Sequence, residues 1–374
     1  MAGIYIHIPF CKQRCTYCDF YTQVAPQYIP TYIDALKQEL ELRKNYITDS
    51  VSSVYFGGGT PSLLSAAQLG EILNSVYSIF SVENDAEITL EANPDDLSED
   101  YLVQISNLRL NRLSIGVQSF DDEDLKRLNR RHTSAQAFEA VRNAQKSGFT
   151  NISIDLIYGL PFQTLEKWNE QLSNAFELKI QHISAYGLTY EEGTPLWKHR
   201  NEGIVSEIDD ETMNKMYAFM LQKMKSNDFE AYEISNFSKI GFRSHHNSSY
   251  WKFEPYLGIG PSAHSFDGVS RQWNVSSIQQ YLKALQNNDL FYEKEILSLN
   301  DRYNDYILVS LRTAEGADSN FIEEVFGKTY KNFFLKSLNQ FIPLGQMNVI
   351  NNRYRLTETG INISNMIISA LMKV

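Results

Sequence analysis

Three cysteines make up the whole thiol complement of this chain, and Cys11, Cys15 and Cys18 fall in one short stretch with C-x3-C-x2-C spacing. Cysteine thiolates are the ligands on which iron–sulfur clusters are built. Three of them from one loop can hold three irons of a [4Fe–4S] cube and leave the fourth free to take a small molecule, which points to redox chemistry. A Cys3His zinc site completed by His7 is the rival. Zinc sites usually draw separated ligand pairs together, whereas all candidates here belong to one loop after a strand-like run, so the cluster is favoured.

Two further groups could act beside that loop. The run Phe56-Gly57-Gly58-Gly59-Thr60-Pro61-Ser62 follows a second strand-like stretch. Successive glycines let a backbone approach a ligand closely and adopt φ > 0, so its N–H and C=O groups can grip a small polar head. The structural reading of the same triplet is a tight strand-to-helix turn. Glu91, Gln118 and Asp155 then recur in or just after later strand-like runs. A carboxylate such as Asp155, inside a run expected to be buried on both faces, is costly unless it is paired or meets a ligand.

The elements that must position these residues alternate regularly. Strand-like runs at Ile4–Ile8, Ser53–Phe56, Glu87–Ala92, Arg112–Val117, Ile152–Ile157 and His182–Gly187 are separated by helix-length stretches. The helical stretches are Tyr28–Tyr46, Ala66–Phe80, Ser98–Leu108, Ser134–Lys146 and Thr164–Leu178. Ser65 and Thr133 or Ser134 read as N-caps. Such alternation implies parallel strands joined by right-handed crossovers. Six units fall short of the eight of a closed barrel. The expected fold class is therefore α/β, a partial (β/α)6 TIM-like barrel, with a doubly wound sheet as the alternative. Both put ligands at the carboxyl ends of the strands.

The barrel is expected over residues 1–230, with a helix at Asp209–Asn227 near its end, and a connecting segment over 231–296. A smaller, mostly helical, winged-helix-like domain is expected over 297–374. It would contain a strand pair at Met347–Ile350 and Tyr354–Leu356 and a last helix at Glu358–Met372. A hydrophobic content of 43% with 21% charged residues describes a globular chain. The net charge of −11 argues against a nucleic-acid partner, even for a winged-helix-like module. No apolar run approaches the roughly 20 residues of a membrane span, and with a strand expected to begin near Met1 no signal peptide is expected. Three clustered cysteines make a poor disulfide framework. A cytoplasmic protein is expected, meeting a membrane only through a partner.

The run Tyr5-x-His7-Ile8-Pro9-Phe10-Cys11-x3-Cys15-x-Tyr17-Cys18, together with Gly57-Gly58-Gly59-Thr60, resembles the radical S-adenosylmethionine (SAM) enzymes. Within them it is most similar to the oxygen-independent coproporphyrinogen III oxidase (HemN) family. Four more stretches carry the resemblance across nearly the whole chain: Glu91-Ala92-Asn93-Pro94, Ser114 to Phe120, Asp155 to Pro161, and Tyr232 to Asn236. It implies that Cys11, Cys15 and Cys18 hold a [4Fe–4S] cluster whose open iron is chelated by the amino and carboxylate groups of SAM. Tyr5 and Tyr17 would line the SAM pocket, while the Gly58-Gly59-Thr60 backbone and Glu91 would receive its amino-acid end. Gln118, Arg130 and Asp155 would complete the site, Arg130 suiting a carboxylate and Asp155 a ribose hydroxyl. Arg127 and Arg131 compete with Arg130, since a solvated helix face would account for all three.

Two departures separate the chain from the oxidase branch. Phe20 stands where that branch carries a further cysteine, and the N-terminal extension that contributes to substrate binding there is not expected here. In their place His246-Asn247-Ser248-Ser249-Tyr250-Trp251 matches the H-N-x-x-Y-W motif of the HemW-type branch, regarded as haem chaperones. Histidine is a ready axial ligand for haem iron, and Tyr250 and Trp251 offer aromatic faces to a flat macrocycle. Packing at a domain junction is the structural reading of the motif, and His245 and His264 are competing ligands. The resemblance thus implies a protein that binds haem and passes it to an acceptor protein, with no residue assigned a catalytic role. Anaerobic oxidative decarboxylation of coproporphyrinogen III, or another radical SAM transformation of a tetrapyrrole, is the enzymatic alternative.

Overall fold

A computed structural model describes residues 1–373; Val374, the last residue of the expected 297–374 unit, lies outside the described residues. Six parallel strands lie side by side in chain order: β1 (Ala2–Ile8), β2 (Val51–Gly58), β3 (Val82–Ala92), β4 (Arg112–Gln118), β5 (Ile152–Tyr158) and β6 (His182–Gly187). All neighbouring pairs are parallel. A doubly wound sheet would reverse its order in the middle, so that alternative is excluded. The crossovers carry α1 (Ile29–Leu42), α2 (Ala66–Ile79), α3 (Glu99–Ser106), α4 (Asp122–Arg127), α5 (Ser134–Lys146) and α6 (Leu165–Glu177). Ser65 and Thr133 close capping boxes with Gln68 and Gln136, each cap worth about 1 kcal/mol.

Period-two alternation divides the two faces of the sheet. In β1, Ile4, Ile6 and Ile8 are fully buried in the main core with Tyr32, Leu36 and Leu40 of α1. Tyr5 and His7, one residue out of phase, turn into the concave hollow. Truncating Leu36 to alanine would cost about 2–5 kcal/mol.

The stretch expected to connect the barrel to the last domain instead enlarges the sheet. After α7 (Pro195–Asn201) and α8 (Asp210–Ser226), β7 (Glu230–Ala231) and β8 (Asn236–Ser238) add antiparallel strands beyond β6, which leaves the barrel open there. α9 (His245–Trp251) then leads to β9 (Tyr256–Ile259), which pairs parallel with the other edge of β1. Antiparallel β10 (His264–Phe266), β11 (Ser270–Asn274) and, after α10 (Ile278–Gln286), β12 (Tyr292–Ile296) complete a 12-stranded sheet. The concave face therefore continues past β1 on both sides.

A second core forms around Tyr303, Phe334 and Leu371. It is built from α11 (Leu299–Ser310), β13 (Ala317–Asp318), α12 (Ser319–Phe326), α13 (Lys328–Leu338), the hairpin β14 (Met347–Ile350) and β15 (Arg353–Leu356), α14 (Glu358–Ile361) and α15 (Ser364–Leu371). The single last helix expected from the sequence is two, interrupted at Asn362-Ile363. Among the described residues no helix is long and apolar enough to cross a membrane.

Candidate functional site

The cysteine loop leaves β1 and arches over the carboxyl ends of the strands. Its neck is tied by the Cys11 N–H donating to the Gln23 carbonyl (3.0 Å) and the Gln23 N–H donating to that of Pro9 (2.6 Å). The Thr16 N–H and hydroxyl donate to the carbonyls of Leu128 and Arg127, which clamps the loop onto the C-terminal end of α4. The glycine loop beside it is shaped by two positions. Gly59 donates to the Ile8 carbonyl at 2.8 Å, and a Cβ on it would stand 2.7 Å from the Phe10 carbonyl. Gly58 has φ +107°, and its Cβ would stand 2.4 Å from the His7 ring. Only glycine lets the two loops touch.

Between them lies a cavity of about 470 Å³. All three cysteines line it, with Tyr17, Gly58, Gly59, Thr60, Glu91, Gln118, Arg130 and Asp155. The Thr60 hydroxyl donates to Cys11 Sγ (3.5 Å) and Arg130 Nη1 to Cys15 Sγ (3.4 Å). Arg130 Nη2 also donates to Asn93 Oδ1 (2.5 Å) and the Gly116 carbonyl (2.6 Å). Its rivals are engaged elsewhere, Arg127 with Asp124 and Arg131 with Asp95 and Asp96. Gln118 reaches the cavity from a left-handed backbone, φ +67°, a conformation that costs about 1–3 kcal/mol in a non-glycine residue.

The donor set fits an iron–sulfur cluster. Three free thiols face one space, and two of the sulfurs already receive the kind of hydrogen bond that tunes a cluster. Burial pushes the Cys11 thiol up and the Cys18 thiol to about 11, so iron would bind with loss of their protons. A Cys3His zinc site does not fit. His7 Nδ1 is joined to the Tyr5 hydroxyl and Nε2 to the Tyr21 carbonyl, both at 3.0 Å. Among the described residues no three His, Cys, Asp or Glu side chains surround a single ion-sized point.

Two carboxyls at the floor of the cavity are poised near neutrality. Burial raises Glu91 to about 7, with the nearby Asp155 adding to the effect. The Tyr55 hydroxyl (2.7 Å) and Gly58 N–H (3.1 Å) donate to Glu91 and oppose the rise. Burial likewise raises Asp155 to about 6, opposed by Ser184, Arg112 and Ser114. A cationic group entering the cavity would restore full charge to both.

Four expected site residues are placed elsewhere. Tyr5 does not line this cavity; its ring lies deeper in the hollow, stacked on Tyr55, with its hydroxyl on His7. His246, Tyr250 and Trp251 do not form one site, because they ride on a helix. His246 and Tyr250, four residues apart, share its inner face. His246 is only 2% exposed, with Nδ1 on Ser53 Oγ and Nε2 on the Tyr250 hydroxyl, both at 2.9 Å. Burial and the charge of Arg112 depress it to about 3. No ring nitrogen of His246 is free for a metal. Trp251 turns to another face and lines a separate cavity with His245 and Ser248.

The reason α9 stands so firmly was not visible in the sequence. The Glu87 carboxylate accepts hydrogen bonds from the Ser244 hydroxyl and the His245 and His246 N–H groups at 3.0–3.1 Å, a negative charge at a helix N-terminus. Asn93, which bridges Arg130 and Thr60, was also missed as a site residue, although the Glu91-Ala92-Asn93-Pro94 stretch had marked its neighbourhood.

The pattern of the Radical SAM superfamily matches residues 5–172. The chain is 34% identical over 364 residues to a protein of Lactococcus lactis named heme chaperone HemW, covering 96% of this chain and 94% of that one. It is 32% identical over 377 residues to the protein of the same name from Bacillus subtilis, covering 100% and 99%. Its fold superposes with a TM-score of 0.85, at 24% identity, on coproporphyrinogen III oxidase (HemN) from Escherichia coli, a radical SAM enzyme, over 100% of this chain and 90% of that one.

Proposed function

The chain belongs to the radical SAM superfamily and to the HemW branch of its HemN family, and on that premise we propose that it binds haem and passes it to an acceptor protein. The observation that carries this reading is end-to-end likeness to relatives named haem chaperones. The cysteine cavity adds the setting: Cys11, Cys15 and Cys18 would hold a [4Fe–4S] cluster, with SAM beside it. When bound, the pair supplies one-electron chemistry. The chain's own contribution there is to donate hydrogen bonds to two cysteine sulfurs, to present the Gly58–Thr60 backbone and Glu91 to the amino-acid end of SAM, and to set Asp155 across the cavity. We place the protein in the cytoplasm.

Oxidation of coproporphyrinogen III is the second reading, and the specific observation behind it is the HemN-like fold. That likeness concerns the fold alone, and Phe20 occupies the position of the further cysteine expected of an oxidase. The test is an anaerobic haem titration of cluster-loaded protein followed at the Soret band, paired with product analysis on coproporphyrinogen III. Saturable, near-equimolar haem binding without vinyl-bearing product supports the chaperone. Protoporphyrinogen formation in the absence of haem binding would transfer the assignment to the oxidase.

A further inference from the structure

The concave face carries a second chamber that the cluster cavity does not use. It lies over β1, β9, β10 and β11, holds about 530 Å³, and is roofed by α11 through Asp305, Leu308 and Val309. Rings make most of its wall, Tyr5, Tyr21, Tyr250, Phe253, Tyr256 and Phe266 among them. Several pack edge-on or tilted against each other, Tyr250 on Tyr256 and Phe253 on Phe266 with centroids 4.6 Å apart. This is the lining that suits a flat, apolar ligand.

The seven histidines divide sharply. His7, His132, His182 and His246 are buried, each with a ring nitrogen in a hydrogen bond. His199, His245 and His264 have no side-chain hydrogen bond among the described residues, and of these only His264 lines the aromatic chamber. Its ring is exposed and stacked on Trp273 at 6.1 Å. Partial desolvation by the surrounding side chains and the charge of Arg271 lower its proton affinity, which leaves the imidazole neutral with a lone pair to give. Gly258 fixes the strand that carries it, since a Cβ there would meet the His264 carbonyl at 2.0 Å. Arg271 lines the same chamber, and among the described residues it has one partner, Asp305, reached through Nη2. Its remaining N–H groups are open to a carboxylate.

Resting on the haem-chaperone reading, we propose that this chamber is the haem site, with His264 as the protein ligand to iron, the aromatic wall against the macrocycle, and Arg271 toward a propionate. The H-N-x-x-Y-W motif then acts as a support: His246 holds the hydroxyl of Tyr250, and Tyr250 forms part of the chamber wall. Phe20 lines both this chamber and the cluster cavity, so haem here would lie one side chain away from the cysteine loop. The alternative cavity at His245 and Trp251 is larger, about 770 Å³, but eight of its lining side chains carry charge against three in the aromatic chamber. Its lining is the poorer match for an apolar macrocycle.

The experiment is an anaerobic hemin titration of the full-length, cluster-loaded protein as wild type, His264→Gly and His245→Gly. Both positions are exposed, so neither change threatens the fold. His264→Gly should weaken hemin binding by at least about tenfold and displace the Soret maximum, and added imidazole should restore the wild-type spectrum. Wild-type affinity and spectrum in His264→Gly overturn this site while leaving the chaperone reading standing. Loss in His245→Gly instead moves haem to the cavity at His245 and Trp251 and also overturns it. A wild type that takes up no hemin saturably overturns the chaperone reading itself.

Discussion

Replacing His246 with alanine asks whether the central histidine of the H-N-x-x-Y-W motif is a ligand or a strut. The ring is 2% exposed, joins two hydroxyls at 2.9 Å each, and stacks on Tyr55 with centroids 5.0 Å apart. Truncation leaves the hydroxyls of buried Ser53 and half-buried Tyr250 with fewer partners, at up to about 1–3 kcal/mol for each that loses its only partner away from water, and opens a ring-sized void. The combined loss should be about 3–5 kcal/mol, in the range of aromatic-to-alanine changes in cores. A pH dependence accompanies it. His246 titrates near 3 in the folded chain and near 6.5 unfolded. Between those values the unfolded chain binds more protons, so the stability linked to neutral His246 is complete above about pH 6.5 and falls as pH falls. At pH 5 that is about 2 kcal/mol, taking 1.36 kcal/mol per pH unit. Urea unfolding followed by tryptophan fluorescence at pH 7.5 and pH 5 should show a gap between wild type and His246→Ala that narrows by about that amount in acid. Hemin binding to the folded variant should stay within a few fold of wild type. A variant as stable as wild type at both pH values but unable to shift the Soret band would refute the strut.

Three other outcomes follow from the cysteine cavity. Gly58→Ala forces a side chain at φ +107° and 2.4 Å from the His7 ring; it should cost more than about 2 kcal/mol and abolish cluster reconstitution, read as iron and sulfide per chain. Arg130→Met removes the donor to Cys15 Sγ and should lower the cluster's reduction potential by about 30–60 mV, on a scale of 59 mV per tenfold for one electron, with Arg130→Lys between the two in an EPR-monitored redox titration. Glu91 behaves oppositely to His246. Its folded value near 7 lies above its unfolded one, so stability is lost as pH rises from about 4.5 to 7. Glu91→Gln should therefore gain on wild type above pH 7 by at most about 3 kcal/mol, less the weakened bonds to Tyr55 and Gly58, in denaturation curves at pH 5 and pH 8.

The cysteine loop, the glycine loop, Glu91 and Asp155 were legible in the sequence because parallel strands in chain order bring every strand end to one rim. Local motifs then add up without further long-range information. The strands β9 to β12 were hidden because they are three to five residues long, too short for alternation to stand out from loop sequence. α4 escaped for the same reason at six residues. The H-N-x-x-Y-W run misled for a different reason. Read linearly, its three ring residues look like one surface; read at 3.6 residues per turn, His246 and Tyr250 face inward while Trp251 joins His245 outside. Tyr5 was placed in the SAM pocket by the family resemblance; in the structure its inward phase on β1 carries its ring to the neighbouring chamber, stacked on Tyr55.

The position of β1 gives one concave face two separate cavities, as the proposed pair of ligands would require. In a closed barrel the first strand would pair with the last, and the hollow would be a single space filled by converging side chains. Here β1 pairs instead with β9, so the hollow runs on over β10 and β11, and β1 itself becomes the divide. The side chains that β1 sends inward, Tyr5 and His7, are fixed to each other and to the Tyr21 carbonyl, forming a partition that belongs to the sheet and not to a mobile loop. On one side stand the thiols and titratable carboxyls; on the other stand rings, the Arg271 guanidinium and His264, an imidazole with no hydrogen bond among the described residues. The chemistry of each side follows from which strands extend β1, and the wall they share above the sheet is Phe20, 63% exposed. A cysteine there would add a fourth thiol to the cluster side. A phenyl ring would instead give a haem in the proposed chamber an edge to pack against, and would keep the two ligands adjacent without a shared donor.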